Sequence, residues 1–441
     1  MKLPYAPVEF TKSGELADPE QVTAALAMLD RERSTDVVLI AHGWNNDLPA
    51  AQRLFAALGD NLADMVPAGS PARVAVIGVL WPSVRWADEV DVAGGGVALG
   101  DDHAALLSGI GSSVDDPEVA ARLTELAGRL DDPAGRAAFF DVVREWVPGA
   151  TRGERDPDAD EDEDADEDAP PSALIGGDPE AVFDSVRVAV SGADEDLPVA
   201  PGGASQAPGV APDLLADETA GEATAGAGLF GMSWAALGRQ LLNTSTYYTM
   251  KARAGDVGAH GVAPLVDRID AAGPARRIHL VGHSFGARVV SAAATNIATR
   301  IESLTLLQGA FSHYGFTPNF AGSGHDGAFR GAVANGRIHG PIVITHTHND
   351  KAVRLAYAVA SRLGGQAGSA VGDRNDRYGG IGANGSVDTG AVQSVLGADT
   401  TAYDFAPGTI TNLNADSTIT GHGDVTNRAV ANALAQAIGL R

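Results

Sequence analysis

"RRIHLVGHSFGARVV", residues 276–290, decides how this chain is read. The apolar run Ile278 to Val281 stops at Gly282, Ser284 follows, and after Gly286 come small and β-branched residues. The pattern predicts a buried strand that turns abruptly into a helix, with Ser284 on the turn. A glycine two positions to either side lets neighbouring backbone approach without a Cβ in the way. A side chain on so sharp a turn is held in a strained conformation above the edge of a sheet. The helix that follows points its free N–H groups at the same spot, where a negative oxygen would be stabilised. A hydroxyl placed there is a candidate nucleophile.

Working outward, runs of the same kind recur. "DVVLIAHGW" (36–44), "RVAVIGVLWPS" (73–83), "SLTLLQGAF" (303–311) and "PIVITHTHND" (341–350) are continuous and rich in β-branched residues, and "GTITNLNADS" (408–417) is a weaker example. Such runs mark strands buried on both faces. Helical patterns lie between them. "DPEQVTAALAMLDRER" opens with Asp18 as N-cap and Pro19 in the first helical position. "GARVVSAAATNIAT" follows the serine turn, "SWAALGRQLLNTSTYYTMKARAGDVG" (233–258) leads back toward the sheet, and "DVTNRAVANALAQAIGL" closes the chain. Strand–helix alternation predicts an α/β fold, a mostly parallel central sheet with helices on both faces.

The 441 residues are 44% hydrophobic and contain no cysteine, which removes disulfides, thiolate nucleophiles and cysteine metal sites together. No apolar run approaches the roughly 18 residues of a membrane span, so no transmembrane segment is expected. The N-terminus shows no apolar signal region, so a cytoplasmic location is expected, and signal-less export is equally compatible. The formal charge of −26 is local: residues 151–230 hold 21 of the 57 acidic residues against 3 arginines, a net of −18. No basic face is left to neutralise phosphates, which disfavours a nucleic-acid partner.

The chain divides into 1–94, an N-terminal part of the core; 95–150, a helical insertion and candidate cap; 151–230, an acidic low-complexity linker; and 231–441, the C-terminal part of the core. "DPDADEDEDADEDAPP" (156–171) is self-repelling and free of aromatics, so it is expected to be a disordered tether. It lacks the turn glycine and terminal glutamate of a calcium loop, and a basic protein is its candidate partner. "VFDSVRVAV" (182–190) is the one stretch of the linker with the pattern of a short ordered element.

Over roughly 1–95 and 233–441 the chain resembles the α/β-hydrolase superfamily. The resemblance is carried by His42-Gly43-Trp44, the "WPS" strand end, "GHSFG" and "GHGD". It implies a serine hydrolase with its triad in the order Ser, acid, His: Ser284, Asp350 just past a buried strand, and His422 between the last strand candidate and the closing helix. It also implies an oxyanion hole from the backbone N–H of Trp44 (or Gly43) and of Phe285. The usual N-terminal antiparallel strands are reduced to "PVEFT", so fewer than the family's usual eight strands are expected. The implied chemistry is ester cleavage through an acyl-enzyme on a small-molecule or lipid substrate, without cofactor or metal.

Several residues compete for roles. Asp424 is an alternative acid, but is expected to N-cap the last helix. His346 and His348 read either as metal ligands or as polar lining of the site mouth. His42 is expected to shape its loop and His283 to pack in the turn. Gln308, His313 and Tyr314 follow a core strand and are candidate substrate contacts, and Trp81, Trp86 and Phe285 are candidate walls of an acyl pocket. Two other functions stay open: a catalytically silent interaction scaffold using the acidic tether, and a lipase effector acting on membranes.

Overall fold

A computed structural model of the chain describes residues 1–44, 48–83, 102–146, 174, 176–193, 232–350, 353 and 379–440. Among these residues eight strands form one sheet: β1 (Tyr5–Glu9), β2 (Asp36–Ala41), β3 (Val74–Leu80), β4 (Arg277–His283), β5 (Ser303–Leu307), β6 (Ile342–His346), β7 (Val392–Val395) and β8 (Ile410–Asn414). Their spatial order is β1-β3-β2-β4-β5-β6-β8-β7, and every neighbouring pair is parallel. The sheet is therefore not smaller than eight strands, and "PVEFT" supplies a parallel edge strand in place of an antiparallel remnant. β7 was not legible as a strand: its residues "VQSV" are all exposed, so no buried run announces it.

Burial on both faces explains the unbroken apolar runs. In β2, Val37, Leu39 and Ala41 face one core, and Val38 and Ile40 face the other. The second core is closed by α2 (Leu48–Met65) and the C-terminal helix, which pack on each other. The first is closed by α1 (Pro19–Arg31) and by the helices described next. Asp18 caps α1 as expected, accepting from Glu20 N–H at 2.9 Å, with Pro19 at the first position.

The insertion is helical where described: α3 (Asp102–Ser113), α4 (Pro117–Ala127), α5 (Pro133–Trp146) and α6 (Pro179–Ala193). Part of the presumed linker is thus a packed helix. Phe183 of α6 is buried against Trp234, and Arg136 of α5 grips Glu180 at 2.8 Å while stacking on the same indole at 3.7 Å. The tract 156–171 and Trp86 lie outside the described residues. α3, α5 and α6 pack on α7 (Trp234–Asp256), which passes through a π-turn (Val257–Val262) into α8 (Ala263–Ala272). The remaining helices are α9 (Phe285–Asn296), α10 (Arg330–Ala334), α11 (Ile381–Asn384) and α12 (Arg428–Ala437). No described helix is long and apolar enough to cross a membrane.

Candidate active site

In an open parallel sheet the crevice lies where adjacent strands send their connections in opposite directions. Here those strands are β2 and β4: α2 leads from β2 outward to β3, and α9 leads from β4 the other way to β5. Gly43 leaves the end of β2 and Ser284 leaves the end of β4, so two of the predicted residues meet at this point.

Ser284 joins β4 to α9 with φ 57° and ψ −124°, a conformation that strains any residue with a Cβ. The flanking glycines are required by contact. A Cβ on Gly282 would lie 2.3 Å from Gly286 O, and one on Gly286 would lie 2.1 Å from Ala41 O. The turn is clasped from β5, since Ser284 N–H donates to Leu307 O at 3.1 Å and Ala310 N–H donates to Ser284 O at 3.1 Å. Gly43 lies directly over the serine; a Cβ there would fall 2.6 Å from Ser284 Cβ and 3.2 Å from its Oγ.

Asp350 is fully buried beyond β6 and His422 is buried beyond β8. His422 Nδ1–H donates to Asp350 Oδ2 at 2.8 Å, and Asp350 Oδ1 accepts Val353 N–H at 3.0 Å. A carboxylate on Nδ1 leaves the lone pair on Nε2. His283, the residue before the serine, donates from Nε2–H to His422 O at 2.9 Å, and the two rings lie 4.9 Å apart. The serine strand is thereby tied to the histidine loop. In this conformation the Ser284 hydroxyl is not itself hydrogen-bonded to the His422 ring. Burial, then the neighbouring His422, push His283 down to about 3.

The expected N-cap role of Asp424 is corrected. This residue takes no part in the His422 contact, and α12 is capped by Asn427, which accepts Val430 N–H at 3.0 Å. Asp424 instead accepts Thr420 N–H and Oγ1–H, each at 3.1 Å.

His42 shapes its loop and is spoken for at both nitrogens. Nδ1–H donates to Gly43 O at 2.8 Å and Nε2 accepts Trp81 N–H at 3.2 Å, while Trp81 Nε1–H donates back to His42 O at 2.9 Å. Burial pushes this ring down to about 4, so it stays neutral. Phe285 is the first residue of α9, so its N–H has no acceptor within the helix. The Trp44 and Phe285 rings meet edge-on at 5.8 Å, and Tyr247 of α7 packs on both, at 6.3 and 5.2 Å. Tyr247 was not singled out from sequence, although the "TYYT" within a helical pattern was the available signal.

Gln308 is brought to the serine turn. It lies between the clasp residues Leu307 and Ala310 with φ 44°, and its Oε1 accepts Thr345 Oγ1–H at 2.7 Å. His313 and Tyr314 are seated in a different cluster. Asn384 Nδ2–H donates to His313 Nδ1 at 3.1 Å, and Tyr314 packs with Phe320 and Val387. His346 is buried at the end of β6, whereas His348 points outward and bonds Asp416 at 3.1 Å. Among the described residues no group of three ligands is placed to hold a metal ion.

A second Ser–His–Asp chain lies at the opposite, amino end of the strands. His279 Nδ1 is bonded to Ser303 Oγ at 2.9 Å, and Nε2 faces Asp36 at 3.4 Å. All three side chains are closed off in the core, and Arg277 ties up Asp36 at 2.5 Å. This chain stitches strands together and offers no attack path. No protein-family model matches the chain, and neither curated proteins nor solved structures give a significant match.

Proposed function

We propose that the protein is a serine hydrolase of the α/β-hydrolase kind, cleaving carboxylic esters through an acyl-enzyme. The observation that carries this reading is one arrangement: a strained serine at the switch point whose own strand is bonded, through His283, to a buried Asp350–His422 pair.

In this reading Ser284 Oγ turns about its Cα–Cβ bond to meet His422 Nε2 in the substrate complex. Such contacts often tighten only when substrate is bound. His422 takes the serine proton as Oγ attacks the ester carbonyl, and Asp350 holds the tautomer and stabilises the imidazolium. The backbone N–H groups of Phe285 and of Trp44 or Gly43 receive the oxyanion. Loss of one such donor typically costs on the order of 3 kcal/mol in the barrier. His422 then protonates the leaving alcohol, and water, activated by the same ring, releases the acid. The helical insertion packs on α7, whose Tyr247 in turn packs on Trp44 and Phe285; in this reading that contact is how the insertion shapes the acyl site.

The test is hydrolysis of p-nitrophenyl esters of increasing acyl length. Ser284→Ala and His422→Ala are expected to lower kcat by at least about 10³-fold with the fold intact. Turnover by Ser284→Ala at the wild-type rate would overturn the proposal.

A further inference from the structure

The pairing of β6 with β8 ends at His346 opposite Asn414, but the two chains stay bonded beyond it. Ala415 N–H donates to His346 O at 2.8 Å, and Asp416 then takes over. Its Oδ1 accepts Thr347 Oγ1–H and His348 N–H, both at 2.8 Å. Its Oδ2 accepts His348 Nδ1–H at 3.1 Å and Asn414 Nδ2–H at 3.0 Å. Its carbonyl accepts Asn349 Nδ2–H at 2.9 Å, and the same amide reaches Ile419 O at 2.8 Å. Each residue from Thr347 to Asn349, the three that lead into Asp350, is thus bonded to the segment that leads to His422. Burial opposes the charge on Asp416, but bonds from Asn414, His348 and Thr347 together outweigh it and hold the carboxyl well below the usual range.

We infer that Asp416 is a positioning residue, a staple that keeps the loop of Asp350 in register with the loop of His422. The inference rests on reading Ser284, Asp350 and His422 as a triad. Asp416 touches none of these three side chains. It acts on the distance between two of them, and a site of this kind has to be held to within about 0.5 Å. A carboxylate suits the task because its two oxygens offer about four acceptor positions, and four donors from two loops fill them. An asparagine keeps the Oδ1 pair and turns its own N–H₂ toward the donors on His348 and Asn414. An alanine loses all four side-chain bonds and keeps only the main-chain carbonyl that accepts from Asn349.

The experiment compares wild type with Asp416→Ala and Asp416→Asn by two readouts. One is the far-downfield proton resonance of His422 Nδ1–H, identified by its loss in Asp350→Asn. The other is the rate of covalent labelling by a fluorophosphonate. The resonance is expected in wild type, lost in Asp416→Ala well below its melting temperature, and weakened in Asp416→Asn. Labelling is expected to fall roughly 10- to 100-fold in Asp416→Ala and less in Asp416→Asn. If Asp416→Ala does not fold, Asp416→Asn carries the comparison. An unchanged resonance with unchanged labelling overturns the staple and leaves the hydrolase reading intact. A resonance that depends on Asp416 in a protein that never labels supports the staple and removes the hydrolase reading. Absence of the resonance from wild type overturns the staple, because the bond it is said to hold is then missing.

Discussion

Ser284 and Gln308 stand at the ends of adjacent parallel strands, both with positive φ, 57° and 44°. They are held together by the backbone bonds that run from Ser284 to Leu307 and from Ala310 back to Ser284, each 3.1 Å. Two strained residues side by side at the end of a well-packed sheet mark where stability has been given up for placement.

That strain is measurable. Ser284→Gly relieves a backbone penalty of about 1–3 kcal/mol and gives back up to about 1 kcal/mol through the freer unfolded chain. Chemical denaturation is expected to show Ser284→Gly more stable than wild type by about 1 kcal/mol. Ser284→Ala retains the strain and should sit close to wild type. Equal stabilities for the glycine and alanine variants would contradict a strained turn.

Gly43 tests the crowding over the serine. An alanine there places its Cβ 2.6 Å from Ser284 Cβ, and neither atom is the end of a flexible chain. The variant is expected to stay folded with a loss of about 1–3 kcal/mol, and to label at least about 100-fold more slowly than wild type. Labelling within twofold of wild type would show that the β2 loop does not bear on Ser284.

The two buried histidines set a pH dependence. His42 and His283 are neutral in the fold down to about 4 and about 3, whereas unfolded histidine protonates near 6.5. As pH falls below about 6.5 the unfolded chain binds protons that the fold refuses, so stability present at pH 7 is progressively lost. Each ring accounts for roughly 2 kcal/mol by pH 5. Urea midpoints are expected to drop over this interval, and to drop less steeply in His42→Gln, whose amide can replace both hydrogen bonds. A midpoint flat from pH 7 to 5 would mean that these rings are not held neutral.

The parts of the fold legible in sequence were those whose physics is local. β2 through β6 announced themselves because strands buried on both faces must be continuously apolar. The serine turn did so because only glycine fits between Ala41 O, Gly286 O and the strand. What was hidden depended on distant partners. β7 is exposed, and only its bonds to β8 make it a strand. α6 was announced by "VFDSVRVAV" as a short ordered element, but its docking was not, because that depends on Arg136 and Trp234 far along the chain. Asp424 and Asn427 are both good capping types near the same helix start, and spacing alone does not choose between them. Asp416 has no motif at all: its partners at 347–349 come from another loop.

Activation of Ser284 is measured most directly with a fluorophosphonate. Folded wild-type protein is expected to gain one adduct mass, located on the peptide that carries Ser284, with none in Ser284→Ala and labelling slowed by about 10⁴-fold in Asp350→Asn. Folded wild-type protein without an adduct, or an adduct on any other residue, would contradict the claim that Ser284, His422 and Asp350 form a working triad.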